Sequence, residues 1–468
     1  MSSSKFRDLS AGTKSLIIIE QVLFAGTLLL TVHLNGLYQV IDFQQVGDTR
    51  FLLLYAVIFA LLNQVSALAL GLYNSKLRER FRGIFRRMLM CVSVAFFAAT
   101  IINPLYGIYR LPIELLALIS LFSVLLVTTF RYFTFKVNFF GFGKRNVLVL
   151  GSGHRASIIE KRMRRDVDRQ DFTINGFVIM EGDSPEGIKR EKRIKLEGSI
   201  VDYALTHNID EIVVANDQRR GTLPVDELFT CKVSGIEIID ILDFIEREIG
   251  QIAVNLIHPS WIIFSNGFTS KNYLRNGLDW IFNASMALFL LLLTWPIMLI
   301  TALFMKITEG LRAPIFYKQV RVGLDGELFS IIKFRSMRLD AEKHGAQMAS
   351  ENDTRVTKIG VYLRKYRIDE LPQIWNVLRG DMGFVGPRPE RPTFVEQLKV
   401  NLPYYEQRHN VKPGLTGWAQ LKYPYGATEN DSLEKLKYDL YYIKHRSFLL
   451  DLLILIRTVE IVLFGKGR

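Results

Sequence analysis

Asn146-Val147-Leu148-Val149-Leu150-Gly151-Ser152-Gly153-His154-Arg155-Ala156 reads as a buried strand, a Gly-rich turn and the start of a helix. A short, unbroken apolar run that ends in closely spaced glycines suits a strand covered on both faces. Three more strand-like runs follow at 172–180, 211–214 and 235–241, separated by helical stretches. Strands alternating with helices predict a parallel, doubly wound sheet, a Rossmann-like domain over residues 144–255. Gly151, Gly153 and Ala156 satisfy the G-x-G-x-x-A spacing of a dinucleotide turn. The acid expected about 20 residues further on, at the end of a second strand, is missing there. Glu181 and Asp183 come late, and Lys161, Arg162, Arg164 and Arg165 crowd the helix. Nucleotide binding and a purely structural or regulatory role both stay open.

Upstream, residues 1–143 carry four apolar runs, roughly 15–34, 51–73, 88–109 and 112–133. Each is near the ~20 residues that cross a hydrocarbon core, so a four-helix transmembrane bundle is expected. Only Lys5, Arg7 and Lys14 precede the first run and no small-residue cleavage site follows promptly, which predicts an anchor and not a signal peptide. Lys76, Arg78, Arg80, Arg82, Arg86 and Arg87 lie between the second and third runs, whereas the opposite loops carry Arg50 and Arg110. The positive-inside rule then puts the N-terminus and the chain after Phe133 in the cytoplasm. Few ionisable residues fall inside the runs, which argues against an ion path and for an anchor or homodimer interface. A net charge of +13 with 49% apolar residues over 468 positions fits a membrane protein with basic cytoplasmic surfaces and makes no case for nucleic acid. Cys91 and Cys231 are far apart and imply no disulfide framework; the seven histidines, never closer than 36 positions, exclude a local His-x-x-x-His zinc site.

Downstream of a linker at 256–277, residues 280–305 are long and apolar enough to span, yet contain Pro296 and are basic on both sides, at Lys271, Arg275, Lys306, Arg312 and Lys318. A proline bends a helix, and symmetric positive flanks fit a segment that enters and leaves by one face. A fifth full crossing would also place the rest of the chain outside, so a re-entrant helix is expected, with an ordinary span as the alternative. In the following region Arg364-Lys365-Tyr366-Arg367-Ile368-Asp369-Glu370-Leu371-Pro372-Gln373 sets two carboxylates among cations and just before a proline. Proline is tolerated in the first turn of a helix, so Asp369 and Glu370 are expected at a helix N-terminus, where anions are favoured. A plain helix start explains them equally well. The Gly386-Pro387-Arg388-Pro389 turn, which spends backbone rigidity on holding one guanidinium, tilts the reading towards a reaction centre. The run around Lys333 and Arg335 alternates as a strand with both cations on one face, where they could clamp a diphosphate. The apolar stretch 447–464, interrupted by Asp451, Arg457 and Glu460, is expected to lie along the interface or pack on the domain.

Several spaced motifs here resemble one family. Lys333-Phe334-Arg335-Ser336-Met337, Asp369-Glu370-Leu371-Pro372-Gln373-Ile374-Trp375-Asn376-Val377, Gly380-Asp381-Met382, Val385-Gly386-Pro387-Arg388-Pro389 and Pro413-Gly414-Leu415-Thr416-Gly417-Trp418-Ala419-Gln420 are similar to the bacterial sugar transferases. These are polyprenyl-phosphate hexose-1-phosphate transferases, the monotopic phosphoglycosyl transferases that begin exopolysaccharide and O-antigen assembly. The four apolar runs and the α/β domain resemble the long form of the family, and residues 258–268 are similar to a subgroup associated with exosortase-type polysaccharide clusters. The resemblance implies a monotopic α/β catalytic domain over 278–468, with Pro296 as the break of its re-entrant helix. It also implies UDP-sugar and undecaprenyl phosphate as substrates at the bacterial inner membrane. Asp369 is then the nucleophile, Asp369 and Glu370 hold Mg2+, and Arg364 and Arg388 bind phosphate, with Lys333 and Arg335 placed there too. Two rivals remain in view. A membrane-bound NAD-dependent nucleotide-sugar dehydratase or epimerase needs a Tyr-x-x-x-Lys pair, and the only such spacing, Tyr132 and Lys136, falls at the end of an apolar run. A non-enzymatic scaffold of a polysaccharide assembly complex would require the Asp369 region to be degenerate.

Overall fold

The computed structural model describes residues 11–38, 49–70, 72–73, 81–104, 110–137, 144–163, 169, 172–196, 198–218, 221–257, 261–262, 265, 267–268, 273–341, 354–423, 426 and 428–463. They fall in two compact units, Met1–Ile249 and Gly250–Arg468. Lys5, Arg7, Lys76, Arg78, Arg80, Arg164, Arg165, Lys271 and most of 258–268 lie outside the described residues.

The first unit begins with four long helices, α1 (Ala11–Tyr38), α2 (Thr49–Ala69), α3 (Phe81–Ile102) and α4 (Ile113–Val137). Both α1 and α3 lie against α2 and α4. Leu28, Val32, Phe59, Ala99, Leu115 and Ile119 meet inside, while Ile18, Val22, Leu53, Leu61, Phe97 and Leu125 point outward. A helix that is apolar all round belongs in hydrocarbon, where polar atoms must turn inward to find partners. That is where they are. Arg131 Nη2 donates to Glu20 Oε2 at 2.7 Å, Tyr73 OH donates to the same oxygen, and the Thr27 and Ser123 hydroxyls share a 2.7 Å bond. Among the described residues five helices are long and apolar enough to cross a membrane, these four and one in the second unit.

The same unit continues as β1 (Arg145–Leu150), α5 (His154–Arg162), β2 (Phe172–Val178), β3 (Arg193–Ile194), α6 (Ile200–Thr206), β4 (Glu211–Val214), α7 (Val225–Val233), β5 (Glu237–Asp240) and α8 (Ile241–Ile249). All five strands are parallel, in the order β3-β2-β1-β4-β5. β1 is central and Val147, Leu148, Val149 and Leu150 are fully buried, which is why its sequence is an unbroken apolar run. Leu148, Leu150, Val178, Ile212 and Val214 pack with Leu228 and Cys231 of α7, and Phe172 meets Phe244 of α8 edge-on at 5.1 Å.

In the second unit α9 (Tyr273–Glu309) is a single 37-residue helix with Pro296 inside it. Pro296 has no N–H for the carbonyl of Leu292. Ala287 is buried against Ile374, Val377, Met382 and Phe384, whereas Leu288, Phe289, Leu292, Leu293, Leu299 and Ile300 are exposed. The antiparallel hairpin β6 (Phe316–Val322) and β7 (Leu328–Phe334) sets Tyr317 opposite Lys333. After it come α10 (Lys358–Lys365), a 3-10 turn (Ile368–Gln373), α11 (Ile374–Arg379), β8 (Gly383–Val385), α12 (Pro392–Asn401), β9 (Gly414–Thr416), α13 (Trp418–Lys422), α14 (Glu429–His445) and α15 (Phe448–Leu463). β8 and β9 pair in parallel. Their loops touch backbone to backbone: a Cβ on Gly414 would lie 2.1 Å from Gly386 N, and one on Gly417 2.2 Å from Gly386 O. Those contacts require glycine in both motifs.

Residues 250–255, expected with the Rossmann-like domain, fold with this second unit. Ile252 N–H donates to Lys437 O at 3.0 Å, and the buried Trp418 indole donates to Gly250 O at 2.8 Å. Within the stretch 447–464, Phe448–Leu463 form α15, which packs on the domain: Tyr442 OH donates to Asp451 Oδ1 at 2.8 Å and the Thr416 and Thr458 hydroxyls meet at 2.6 Å.

Candidate active site

The two carboxylates owe their position to the turn that precedes them. Thr357 caps α10, its hydroxyl accepting from Gly360 N at 3.0 Å, and the helix ends at Lys365. The chain reverses at Arg367, in the left-handed region at φ 58°, and re-enters as the 3-10 turn that begins with Ile368. Pro372 is the fifth residue of that turn, two positions ahead of α11. Asn376, fully buried, then ties α11 to β7, donating to Ser330 O at 2.8 Å and accepting from Ile332 N at 3.1 Å. Asp369 and Glu370 are thereby held on the strand that carries Lys333, each 8% exposed.

The cations do not divide evenly between the two acids. Glu370 Oε1 accepts from Arg388 Nη2 at 2.8 Å and Lys333 Nζ at 3.3 Å, and Oε2 faces Arg367 Nη1 at 3.6 Å. Asp369 Oδ1 is buried without a hydrogen-bond partner. Burial alone would raise both pKa values. For Glu370 the charges of Arg388, Lys333 and Arg367 outweigh burial and hold the carboxyl well below its usual range. For Asp369 burial, reinforced by the negative Glu370, outweighs Lys333, Arg364 and Arg367 and lifts the carboxyl to about 6. Adjacent acids pushed apart in this way take different roles: one is a fixed counter-ion, the other a basic, unengaged oxygen.

Of the sequence-selected cations, Lys333, Arg364 and Arg388 surround the pair; Arg364 is steadied by Nε donating to Ser336 Oγ at 3.0 Å. Arg335 does not join them. It follows the last residue of β7, and its guanidinium pairs with Glu309 at the end of α9. Lys365 is exposed and lies 5.5 Å from the Tyr366 ring. Pro296 lies mid-helix in α9. Tyr132, of the Tyr-x-x-x-Lys spacing, is on α4 and not in the α/β domain.

Two supports of Arg388 give little sign in the sequence. Arg408 Nη2 donates to Arg388 O at 2.9 Å while bonded to Asp439 at 3.0 Å, and Asn283, on α9, accepts from Phe384 N at 2.8 Å at the root of the Gly-Pro-Arg-Pro turn. Arg408 carries no motif; Asn283 shows only as a lone amide in an apolar run. Asn283→Leu keeps the helix apolar but orphans the Phe384 N–H, and should lower stability by about 1–2 kcal/mol. Thermal unfolding of the purified variant checks this; an unchanged midpoint would sever the link between α9 and β8.

A buried acid pair ringed by cations thus sits on a small α/β scaffold with a helix long and apolar enough to cross a membrane. The family model for bacterial sugar transferases matches residues 274–465. The chain is 39% identical over 240 residues to a UDP-N-acetylgalactosamine-undecaprenyl-phosphate N-acetylgalactosaminephosphotransferase of Aeromonas hydrophila, covering 51% of this chain and 55% of that one. It is 38% identical over 224 residues to a UDP-glucose:undecaprenyl-phosphate glucose-1-phosphate transferase of Xanthomonas campestris pv. campestris (47% and 44%). To the uncharacterized sugar transferase EpsL of Bacillus subtilis it is 41% identical over 187 residues, 40% of this chain and 88% of that one. This chain belongs to the bacterial sugar transferase family. It spans about half the length of the Aeromonas and Xanthomonas relatives.

Proposed function

We propose that this protein transfers a hexose 1-phosphate from a UDP-sugar to undecaprenyl phosphate, as the first membrane step of an exopolysaccharide or O-antigen. The observation that carries the reading is the unpaired Asp369 Oδ1 beside a Glu370 that has taken the cations; the names of the relatives supply the substrates. In this reading Asp369 Oδ1 attacks the sugar-linked phosphorus, the bond to the UMP oxygen breaks, and UMP leaves with the electron pair. An oxygen of undecaprenyl phosphate then attacks the same phosphorus of the acyl-phosphate, freeing the carboxylate and forming the lipid diphospho-sugar. Lys333, Arg364, Arg367 and Arg388 offset the charge of diphosphate and carboxylate, which would otherwise repel strongly at a buried site.

The residues fit Mg2+. A buried carboxylate oxygen of Asp369 without a hydrogen-bond partner and a second carboxylate next to it suit an ion that binds through one or two carboxylates plus substrate phosphates. Asp369 and Glu370 would hold it. Bound there, Mg2+ would neutralise phosphate charge. Asp369 gives up its proton to ligate, so titration with Mg2+ at a pH below its value of about 6 should release close to one proton, and at neutral pH almost none. Calorimetry in buffers of different ionisation enthalpy reads this directly.

At ~1.5 Å per residue α9 is about 55 Å long, more than a ~30 Å hydrocarbon core. A bend at Pro296, making α9 re-entrant, would keep both ends and Asp369 on the cytoplasmic face of the inner membrane, with the donor. The four N-terminal helices then serve as a transmembrane bundle and the five-stranded domain as a Rossmann-like module. The test is UMP release from a panel of UDP-sugars by the solubilised protein with Mg2+. Before lipid is added, one donor should give a burst equal to the enzyme present; turnover should continue only with undecaprenyl phosphate. No UMP from any donor would overturn the reading, and lipid-dependent release without a burst would overturn the covalent route.

A further inference from the structure

The turn between β1 and α5 has the glycine spacing of a dinucleotide site, where phosphates would be held by the first free amides of the helix. Those amides are already taken. Asp217, on the loop after β4, accepts from His154 N through Oδ2 and from Arg155 N through Oδ1, both at 2.8 Å. The same Oδ2 accepts from Ser184 Oγ at 2.8 Å and Ser184 N at 3.2 Å. Asp183, after β2, accepts from Ser152 N at 2.7 Å and Met180 N at 3.1 Å through Oδ2, and from Asp217 N at 3.1 Å through Oδ1. The acid that comes late for a ribose is therefore turned onto the Gly-rich turn itself.

Steric contact closes the same space. A Cβ on Gly153 would lie 2.1 Å from Asp217 Oδ2, one on Gly187 would lie 2.1 Å from Ser152 O, and one on Gly151, at φ +125°, 2.6 Å from the Ala215 backbone. Loops after β2 and β4 thus rest directly on the turn, and a diphosphate could enter only by displacing them. Burial would raise the Asp217 carboxyl, but the Arg155 and His154 amides outweigh it and hold the group below its usual range, so a full negative charge sits at the helix start at neutral pH.

We infer that this turn is self-liganded: Asp217 stands where the phosphates of a nucleotide would bind, so the domain is closed to dinucleotides and uses its anion nest to fasten the loops after β2 and β4 to α5. This is independent of the transferase reading.

Hydrogen exchange followed by mass spectrometry on the full chain tests it. In the wild type the amides of residues 152–157 should be protected, with no change on adding millimolar NAD or ADP. Asp217→Ala should speed their exchange about tenfold or more, and sulfate should restore protection in the variant while leaving the wild type unaffected. Asp217→Asn, which keeps the shape and drops the charge, should show the same sulfate response if the Ala variant fails to fold. Slower exchange of 152–157 in the wild type with NAD or ADP overturns the inference without any variant. Unchanged exchange in a folded Asp217 variant overturns it as well.

Discussion

Asp369→Asn should abolish both the UMP burst and turnover, by at least about a thousandfold, and should melt at a higher temperature than the wild type. The activity loss follows from the proposed nucleophile, since an amide oxygen is a far weaker one than a carboxylate. The stability gain follows from the pKa. The carboxyl lies at about 6 in the fold against an ordinary 3.8. A raised value means that ionisation is harder in the fold than in the unfolded chain, so this group removes stability as pH rises from about 4 to about 6, and the loss persists above that. A neutral side chain of the same shape escapes it. The gain at neutral pH should be on the order of 1–3 kcal/mol, or a few degrees, in protein freed of divalent ions. Activity loss with equal or lower stability would mean that Asp369 is an ordinary structural acid.

That trade between stability and chemistry was only half legible in the sequence. Asp369-Glu370-Leu371-Pro372 announces two acids at a helix start, because proline has few tolerated places in a helix and the first turn is one of them. Which acid is engaged is set by Lys333 and Arg388, and these arrive from positions 36 residues before Asp369 and 18 after Glu370, a distance no local pattern encodes. Alternation put Lys333 and Arg335 on one face, but β7 ends at Phe334 and Arg335 turns to Glu309. Strand periodicity holds only while the strand does. In the first unit β1 was plain because a doubly covered strand is apolar throughout, whereas β3, only Arg193–Ile194, is too short to show any period. Glu20 and Arg131 are single breaks in apolar runs 111 positions apart, and their pairing is a property of helix packing. The glycine spacing alone marks the β1–α5 turn; that Asp217, 63 positions beyond His154, fills it depends on where β4 ends.

Glu370→Gln should move stability the other way from Asp369→Asn, although the two residues are neighbours and both changes remove one negative charge. Glu370 sits well below its ordinary range because Arg388, Lys333 and Arg367 outweigh the cost of burial. A depressed carboxyl contributes stability that is present above about 4.5 and lost as pH falls through its folded value. Gln leaves those cations without a counter-charge. The cost should be about 1–3 kcal/mol, less than for a fully buried pair because Arg388 is 39% exposed and partly screened. The effect on chemistry follows from the same rearrangement. With Glu370 neutral, Asp369 loses the like charge that raised it and faces Lys333 and Arg388 without Glu370 to compete for them. Its pKa should fall, and its free oxygen should become ion-paired and less basic. The acid limb of the rate profile should therefore shift below 6, while the plateau rate drops about 10–100-fold. A metal-ligand role for Glu370 alone predicts something different: rate loss recovered by excess Mg2+, with the acid limb unmoved. The counter-ion role requires the limb to move and requires that Mg2+ not restore the plateau, because what was lost is the partition of charge that leaves Asp369 unpaired.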